Sequence, residues 1–250
     1  MNSTGISSIL RNMPASRLLH FVRRRVISQT AAAERLDPVQ VGYLNERCIL
    51  VDEADNVVGH ATKAECHRTE SAALHRAFSV FLFTSDRRLV LQKRAATKIT
   101  FPSVWTNTCC SHPLHVPEEL ETGDRAVGVR RAAIRKLKHE LNIDGLHADQ
   151  LDVVGRILYK ADSDAEWMEH ELDYVLIGRH FDAEVRPNSD EVADVELVTP
   201  ERLERMFADD RRRFSPWFSL LHRSGWLRKW WTHLDELHEV ADLERIHKLN

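Results

Sequence analysis

Short apolar segments that end in polar turns lie on both sides of one long amphipathic stretch, and this pattern indicates a mixed α and β domain. In the amphipathic stretch, residues 124–141, apolar side chains recur at intervals of three and four, as on one face of a helix. The apolar segments are far shorter than the ~20 residues that cross a bilayer, so the sequence excludes a membrane-spanning protein. We therefore expect an α+β domain in which strands surround a central helix.

Seven further segments are predicted to be strands, and two pairs of them are predicted hairpins with polar turns at 52–56 and 84–88. Helical patterns begin at Glu201 and occupy residues 217–231 and 237–246, so we expect flanking helices and a helical C-terminal extension. The predicted strands are 48–52, 57–59, 78–83, 89–92, 153–159, 171–178 and 192–198.

The N-terminal segment differs from the rest of the chain in charge. Residues 1–33 contain five arginines and no acidic residue, which is typical of a mitochondrial presequence. We predict such a presequence at 1–36, before a domain at 37–250. The alternative is a disordered basic leader on a cytoplasmic or peroxisomal protein. Without those five arginines, 30 basic residues face 38 acidic ones, which disfavours binding to nucleic acid.

Cysteine and histidine suggest reactive or metal-binding chemistry. Of the four cysteines, Cys109 and Cys110 are adjacent, which suits a reducing compartment better than a disulfide framework. Cys110 and His112 are two residues apart, so in an extended segment their side chains share one face. They could form a nucleophile–base pair, or the cysteine could lie beside a metal ligand. The alternative is a buried cysteine near a surface histidine.

Two glutamates lie two positions apart at the start of a predicted strand. Glu169 and Glu171 would therefore share a face, with His170 on the other. Two carboxylates on one face repel each other unless a cation or a shared proton relieves them. The alternative is a solvated strand edge, where acidic side chains discourage aggregation.

Three weaker groups complete the candidate residues. His67 and His75 fit no compact zinc motif, and such histidines are more often structural. Arg94 and Lys98 follow a predicted strand and could bind a phosphate, although charges in a loop are usually solvated. The basic face of the helix around 135–140 is also compatible with a plain amphipathic helix.

Together these groups resemble the type I isopentenyl-diphosphate isomerases, from about residue 40 to the C-terminus. The Cys-Cys-Ser-His-Pro motif that begins at Cys109 and the paired glutamates are the most specific features. Residues 135–143 resemble a degenerate Nudix box, which implies a Nudix-like mixed β-sheet domain. The resemblance also implies a small-molecule substrate, isopentenyl diphosphate, and we expect the protein to act as a monomer.

The resemblance implies catalysis by protonation and deprotonation that interconverts isopentenyl and dimethylallyl diphosphate. Cys110 and Glu171 correspond to the family's essential cysteine and glutamate. Tyr159 corresponds to a tyrosine that hydrogen-bonds near this glutamate. Trp217 corresponds to a tryptophan whose π face could stabilise a carbocation.

The resemblance also implies two metal sites and a diphosphate site. One tightly held divalent metal, Zn²⁺ or Mn²⁺ by its ligand types, and a Mg²⁺ ion held with Glu140 against the diphosphate are expected. The ligands implied for the tight metal are His67, His75, His112, Glu169 and Glu171. The implied diphosphate ligands are Lys63, Arg94, Lys98 and Lys136.

The sequence departs from the family pattern at Lys136 and Asn142, and its Nudix-like segment lacks adjacent glutamates. Lys136 stands where relatives have arginine, so it keeps the charge but loses the bidentate contact. Asn142 replaces a glycine, and asparagine tolerates a left-handed helix end. Glu140 is the only acid in its part of the Nudix-like segment, which argues against the alternative of a Nudix diphosphate hydrolase. A Cys–His thiol hydrolase and a structural zinc module explain fewer of these residues.

Overall fold

The computed structural model describes residues 36–249, so the predicted presequence lies outside the described residues except for its last position. In this part of the chain, the main sheet has the strand order β10-β7-β8-β3-β1-β2, and β6 pairs with part of β3. A smaller sheet has the order β5-β4-β9. The strands β1 to β10 are, in chain order, Arg47–Val51, Val57–Thr62, His75–Leu82, Leu89–Arg94, Trp105–Thr106, Cys109–Ser111, Leu151–Asp162, Met168–Gly178, Val192–Val198 and Asp242–Leu249.

Helices cover both faces of the main sheet. Alternation along β3 directs Phe78 into the core beneath the central helix, whereas Phe81 packs among the C-terminal helices on the other face. The domain is therefore the predicted α+β arrangement with helices on both sides of a sheet. The helices α1 to α8 are Pro38–Tyr43, Lys63–His67, Pro117–Leu120, Gly123–Leu141, Pro200–Phe207, Pro216–Arg223, Trp226–Thr232 and Leu237–Val240. No helix within 36–249 has both the length and the apolarity to cross a membrane.

The central helix, α4, confirms the prediction for 124–141. The helix ends at Asn142, which has the left-handed conformation (φ 50°, ψ 36°). Asparagine therefore closes the helix at the position where the family pattern has glycine, as predicted. Gly128 permits a close approach to α3, because a Cβ added there would lie 2.4 Å from the backbone oxygen of Glu119. The helix thereby brings Glu140, near its C-terminus, to the edge of the candidate site.

The first predicted hairpin is confirmed, since β1 pairs with β2 in antiparallel register. The second is wrong. Strands β3 and β4 occupy the predicted positions but belong to different sheets, and only an isolated bridge joins Phe83 to Leu89. Strand β3 is buried along its whole length and pairs with β8 on one side and with β6 and β1 on the other. Because both edges are occupied, β4 pairs with β9 instead.

The C-terminal region is helical only in part. The predicted helix at 217–231 is two helices that separate at Gly225, where φ is 78°. The predicted helix at 237–246 is wrong beyond Val240, because the chain continues as β10 and pairs in parallel with β7. Without β10, the backbone groups on that edge of β7 would have no ladder partner.

Candidate metal and catalytic site

Five buried side chains, two of them from β8, converge at one end of the paired strands β3 and β8. Strand β3 begins at His75, which lies directly opposite Glu171 in the parallel ladder. Alternation along β8 places Glu169 on the same face, while His170 turns away and donates from Nδ1 to the Ala72 carbonyl over 2.8 Å. The ligand atoms of the five lie within 4.8 Å of one another. They belong to His67, His75, His112, Glu169 and Glu171, the complete set of predicted tight-metal ligands.

Backbone carbonyls orient two of the three imidazoles. Nδ1 of His67 donates to the Lys63 carbonyl over 2.7 Å, and Nδ1 of His75 donates to the Ala73 carbonyl over 2.8 Å. A carbonyl oxygen can only accept, so each Nδ1 carries a proton. In a neutral ring this leaves Nε2 as a lone pair, and both Nε2 atoms face carboxylates of the cluster. Such carbonyl contacts commonly orient metal-binding histidines.

Two polar atoms inside the cluster lack hydrogen-bond partners within the described part of the chain. Nε2 of His67 lies 2.8 Å from Oε2 of Glu169, and Nε2 of His75 lies 3.6 Å from Oε1 of Glu171. Neither contact has the geometry of a hydrogen bond, so buried Glu169 Oε2 and His75 Nε2 have no hydrogen-bond partner among the described residues. Buried polar atoms of this kind require an explanation, and a coordinated ion supplies one. Three imidazole nitrogens with two carboxylates form a donor set that suits a divalent transition metal.

The protonation of this cluster is finely balanced. Burial disfavours an imidazolium at His75, but the Glu171 carboxylate, Cys48 and the Ala73 carbonyl together raise the pKa of His75 to about 9. Burial, together with the neighbouring His67 and His75, lowers the pKa of His112 well below its ordinary value. His75 therefore favours the charged imidazolium and His112 the neutral imidazole. A bound cation would favour the neutral, metal-binding form of both rings.

The buried rings of Phe101, Tyr159 and Trp217, called the aromatic pocket below, adjoin the cluster at Glu171. The Tyr159 hydroxyl donates to Oε2 of Glu171, and burial raises the pKa of Tyr159, so the phenol keeps its proton. The Tyr159 and Trp217 ring centroids are 6.1 Å apart. The partly buried Cys110 packs against the apolar core that contains both rings. Burial raises the pKa of the Cys110 thiol to about 12, although Arg94 opposes this effect. Glu171 therefore joins the His/Glu cluster to an apolar pocket with a protonated thiol.

A second group of charges lies beside the C-terminal part of α4. Lys136 Nζ is 3.2 Å from Oε1 of Glu140, whose other oxygen accepts from Nε2 of Gln92 over 3.0 Å. Lys98 forms a buried ion pair with Glu191. Burial lowers the pKa of Lys98, and the charge of nearby Arg94 lowers it further. The structure therefore places the predicted cations Lys98 and Lys136 close to buried carboxylates.

The remaining predicted cations are arranged differently. Lys63 lines a small cavity together with His67 and Lys98, next to the five-residue cluster. Arg94 donates from Nε and Nη2 to the carbonyls of Phe101 and Thr100, while Nη1 lies 3.7 Å from the Cys110 sulfur. Arg94 therefore has one end of its guanidinium directed toward the aromatic pocket and the other held by backbone.

Sequence reasoning did not assign two buried polar residues near the site. Asn107 accepts from the Trp217 indole and lies within the Thr-Asn-Thr segment that precedes the two cysteines. The polar Thr-Asn-Thr segment is a local feature of the sequence, but nothing near it identifies Trp217, 110 positions away, as the partner of Asn107. Glu191 pairs with Lys98 from a loop 93 residues away in sequence. No local pattern distinguishes Glu191 from the adjacent acid Asp190.

Comparison with known proteins places these features in a family. A model of the NUDIX domain matches residues 73–218. Isopentenyl-diphosphate Delta-isomerase I from Camptotheca acuminata is 50% identical over 228 residues, covering 86% of this chain and 96% of the relative. Isopentenyl-diphosphate Delta-isomerase II, chloroplastic, from Arabidopsis thaliana is 47% identical, covering 90% and 84%. The crystal structure of DR0079 from Deinococcus radiodurans shares the fold, with a TM-score of 0.50, 23% identity and coverage of 71% and 98%.

The comparisons contradict the predicted mitochondrial location, which is therefore wrong. Relatives from Cannabis sativa and Arabidopsis thaliana, at 47–49% identity, are named chloroplastic. An arginine- and serine-containing, acid-poor leader is common to mitochondrial and chloroplast transit peptides. Composition alone therefore could not distinguish the two organelles.

Proposed function

The chain belongs to the isopentenyl-diphosphate Delta-isomerase family and has a NUDIX domain. We propose that the site described above carries out the isomerisation for which this family is named. The protein is an isomerase that interconverts isopentenyl diphosphate and dimethylallyl diphosphate in isoprenoid biosynthesis. Its small-molecule substrate has an apolar five-carbon chain and a diphosphate. The site offers a separate environment for each part.

Proton addition and proton loss are assigned to Cys110 and Glu171. An alkene is a very weak base, so an acid must be held against it in a pocket that excludes water. One residue would add a proton to the double bond, and the other would remove a proton from the neighbouring carbon. The observation that carries this proposal is the position of Glu171, which belongs to the His/Glu cluster and accepts from Tyr159 in the aromatic pocket.

The aromatic pocket suits the intermediate of this reaction. Protonation of the terminal carbon leaves a tertiary carbocation, which the π face of an aromatic ring stabilises. Trp217 is the ring to which we assign this role. Its centroid lies 5.4 Å from that of Phe101 in an edge-on arrangement, and Tyr159 lies on another side. These neighbours help to bury the indole, which is 3% exposed, so little water reaches its ring.

Two divalent metals complete the proposal. The five-residue cluster would hold one Zn²⁺ or Mn²⁺ ion, and the donor set with its two unpartnered atoms supports this assignment. When bound, this cation would supply the positive charge that keeps Glu171 ionised and oriented. Glu140 would bind Mg²⁺ together with the substrate diphosphate, whose oxygens suit that hard cation. The proposed diphosphate ligands are Lys63, Arg94, Lys98 and Lys136.

A direct assay separates this function from diphosphate hydrolysis. The full chain with isopentenyl diphosphate and Mg²⁺ is expected to form dimethylallyl diphosphate without releasing phosphate. Glu171→Gln should lower kcat by about 10²- to 10⁴-fold, the usual contribution of a general acid or base. Glu166→Gln is a matched control, because this exposed residue of the same hairpin pairs with Arg68. Phosphate release, or full activity in Glu171→Gln, would refute the proposal.

A further inference from the structure

The segment 106–108 is polar, yet each of its three residues is 0% exposed. Burying polar side chains is unfavourable unless they form hydrogen bonds, so their partners explain why they are there. The Thr108 hydroxyl accepts from the Leu82 amide over 2.8 Å and donates to the Val90 carbonyl over 2.6 Å. It thereby joins a strand of the main sheet to a strand of the smaller one. Its neighbour Asn107 has a different set of partners.

The carboxamide of Asn107 makes four hydrogen bonds. Oδ1 accepts from Nε1 of Trp217 over 2.9 Å and from the Thr106 hydroxyl over 2.8 Å. Nδ2 donates to the carbonyls of Val80 over 3.1 Å and Cys109 over 2.8 Å. The amide orientation follows from these partners, because an indole N–H can only donate and a carbonyl can only accept. Every hydrogen-bonding position of Asn107 is therefore used.

We propose that Asn107 is a positioning residue that fixes the indole of Trp217 in the isomerase site. This inference rests on the proposed function, in which the Trp217 ring stabilises the carbocation. Two carbonyls hold the amide end of Asn107, so its oxygen presents a fixed acceptor to the indole. The Cys109 carbonyl immediately precedes Cys110, so Asn107 also ties the indole to the backbone that carries the thiol. Asn107 itself is not assigned any contact with substrate.

The other contacts of Trp217 do not define its orientation in the same way. Phe101 meets the ring at an interplanar angle of 85°, Tyr159 meets it at 37°, and the Arg94 guanidinium lies 5.8 Å from its centroid. The energy of such ring contacts changes little when one ring tilts or slides, so they do not fix the orientation of the indole. A hydrogen bond of 2.9 Å to a rigid acceptor is directional and defines one edge of the ring. The orientation of the π face therefore depends on Asn107.

Kinetics of the full chain tests this coupling through a double-mutant cycle. Asn107→Leu is expected to lower kcat by about 10- to 100-fold, the effect of a small misplacement of a catalytic group, with KM changed by less than about threefold. In a Trp217→Phe background, which lacks the indole N–H, the same substitution should cost less than about threefold. Equal losses in both backgrounds would overturn the proposal. Asn107→Ser gives the same test if Asn107→Leu does not fold.

An NMR measurement tests the positioning independently of activity. In protein with ¹⁵N-labelled tryptophan, the indole signal that disappears in Trp217→Phe identifies Trp217 among the six tryptophans. Asn107→Leu should shift this signal. Thr108→Val, which loses two hydrogen bonds in the same segment but none to Trp217, should not. A signal that Asn107→Leu leaves in place overturns the inference. Absence of isomerase activity in the unmodified chain would instead refute the proposed function.

Discussion

Removal of divalent cations is expected to lower the unfolding temperature of this protein by several degrees. The five cluster residues are buried and include two carboxylates within 4.8 Å of each other, so their mutual repulsion destabilises the metal-free fold. A cation at a hundred times its Kd stabilises a protein by about 2.7 kcal/mol. For a chain of this size each kcal/mol corresponds to about 2–4 °C, so the expected change is about 5–11 °C. Differential scanning calorimetry of stripped protein titrated with Zn²⁺ or Mn²⁺ measures it.

Two histidine variants make this test specific to the cluster. His67→Ala removes a ring whose Nε2 faces Glu169, so the metal-dependent rise in unfolding temperature should disappear. His170→Ala is the control, because this ring lies between Glu169 and Glu171 in sequence but donates to the Ala72 carbonyl. It should keep both the bound metal, measured by elemental analysis, and the temperature rise. The reasoning is refuted if metal does not stabilise the unmodified protein, or if His67→Ala responds to metal like the control.

Three other substitutions test separate features. Cys110→Ala should lower kcat by about 10²- to 10⁴-fold in the isomerase assay. Cys48→Ala, which replaces a fully buried cysteine, should leave kcat nearly unchanged. Similar rates in the two variants would contradict the catalytic assignment. Gly128→Ala should lower the free energy of unfolding, measured in urea, by about 1–3 kcal/mol, because the added Cβ would lie 2.4 Å from the Glu119 backbone oxygen. An unchanged free energy of unfolding would contradict that close approach. Burial alone would raise the pKa of Glu191, but the nearby charges of Lys98 and Lys136 hold that pKa at about 2. Because this pKa is depressed, ionised Glu191 stabilises the fold above pH ~4.5, and this stabilisation is lost as the pH falls toward 2. Glu191→Gln should therefore make the free energy of unfolding depend less on pH over that range. An unchanged pH dependence would contradict the assignment.

The features that depend on local periodicity were predictable from the sequence. Alternation in β8 places Glu169 and Glu171 on one face and His170 on the other, as the spacing of two predicts. The 3.6-residue period located the central helix, and the tolerance of Asn142 for a left-handed conformation explained its end. In each case the information lies within a few residues of the feature.

The features that depend on distant partners were not predictable. Strand β4 joins the smaller sheet because both edges of β3 are already paired, and β10 forms because an edge of β7 is available. Neither fact is encoded near the strand that it affects. The same holds for Glu191, which neutralises Lys98 from a distant loop, and for Asn107, whose acceptor meets Trp217 across 110 positions. A resemblance between motifs could group the metal ligands, but it could not identify these supporting contacts.

Proton NMR of isopentenyl diphosphate incubated with the full chain and Mg²⁺ in deuterated water most directly tests proton addition and loss at this site. Acidic protons of a thiol or carboxyl group exchange with the solvent, so the residue that protonates the alkene should deliver deuterium. The expected result is dimethylallyl diphosphate with deuterium in a methyl group. Product without deuterium, or a substrate that only loses phosphate, would contradict the assignment of Cys110 and Glu171 as the acid–base pair.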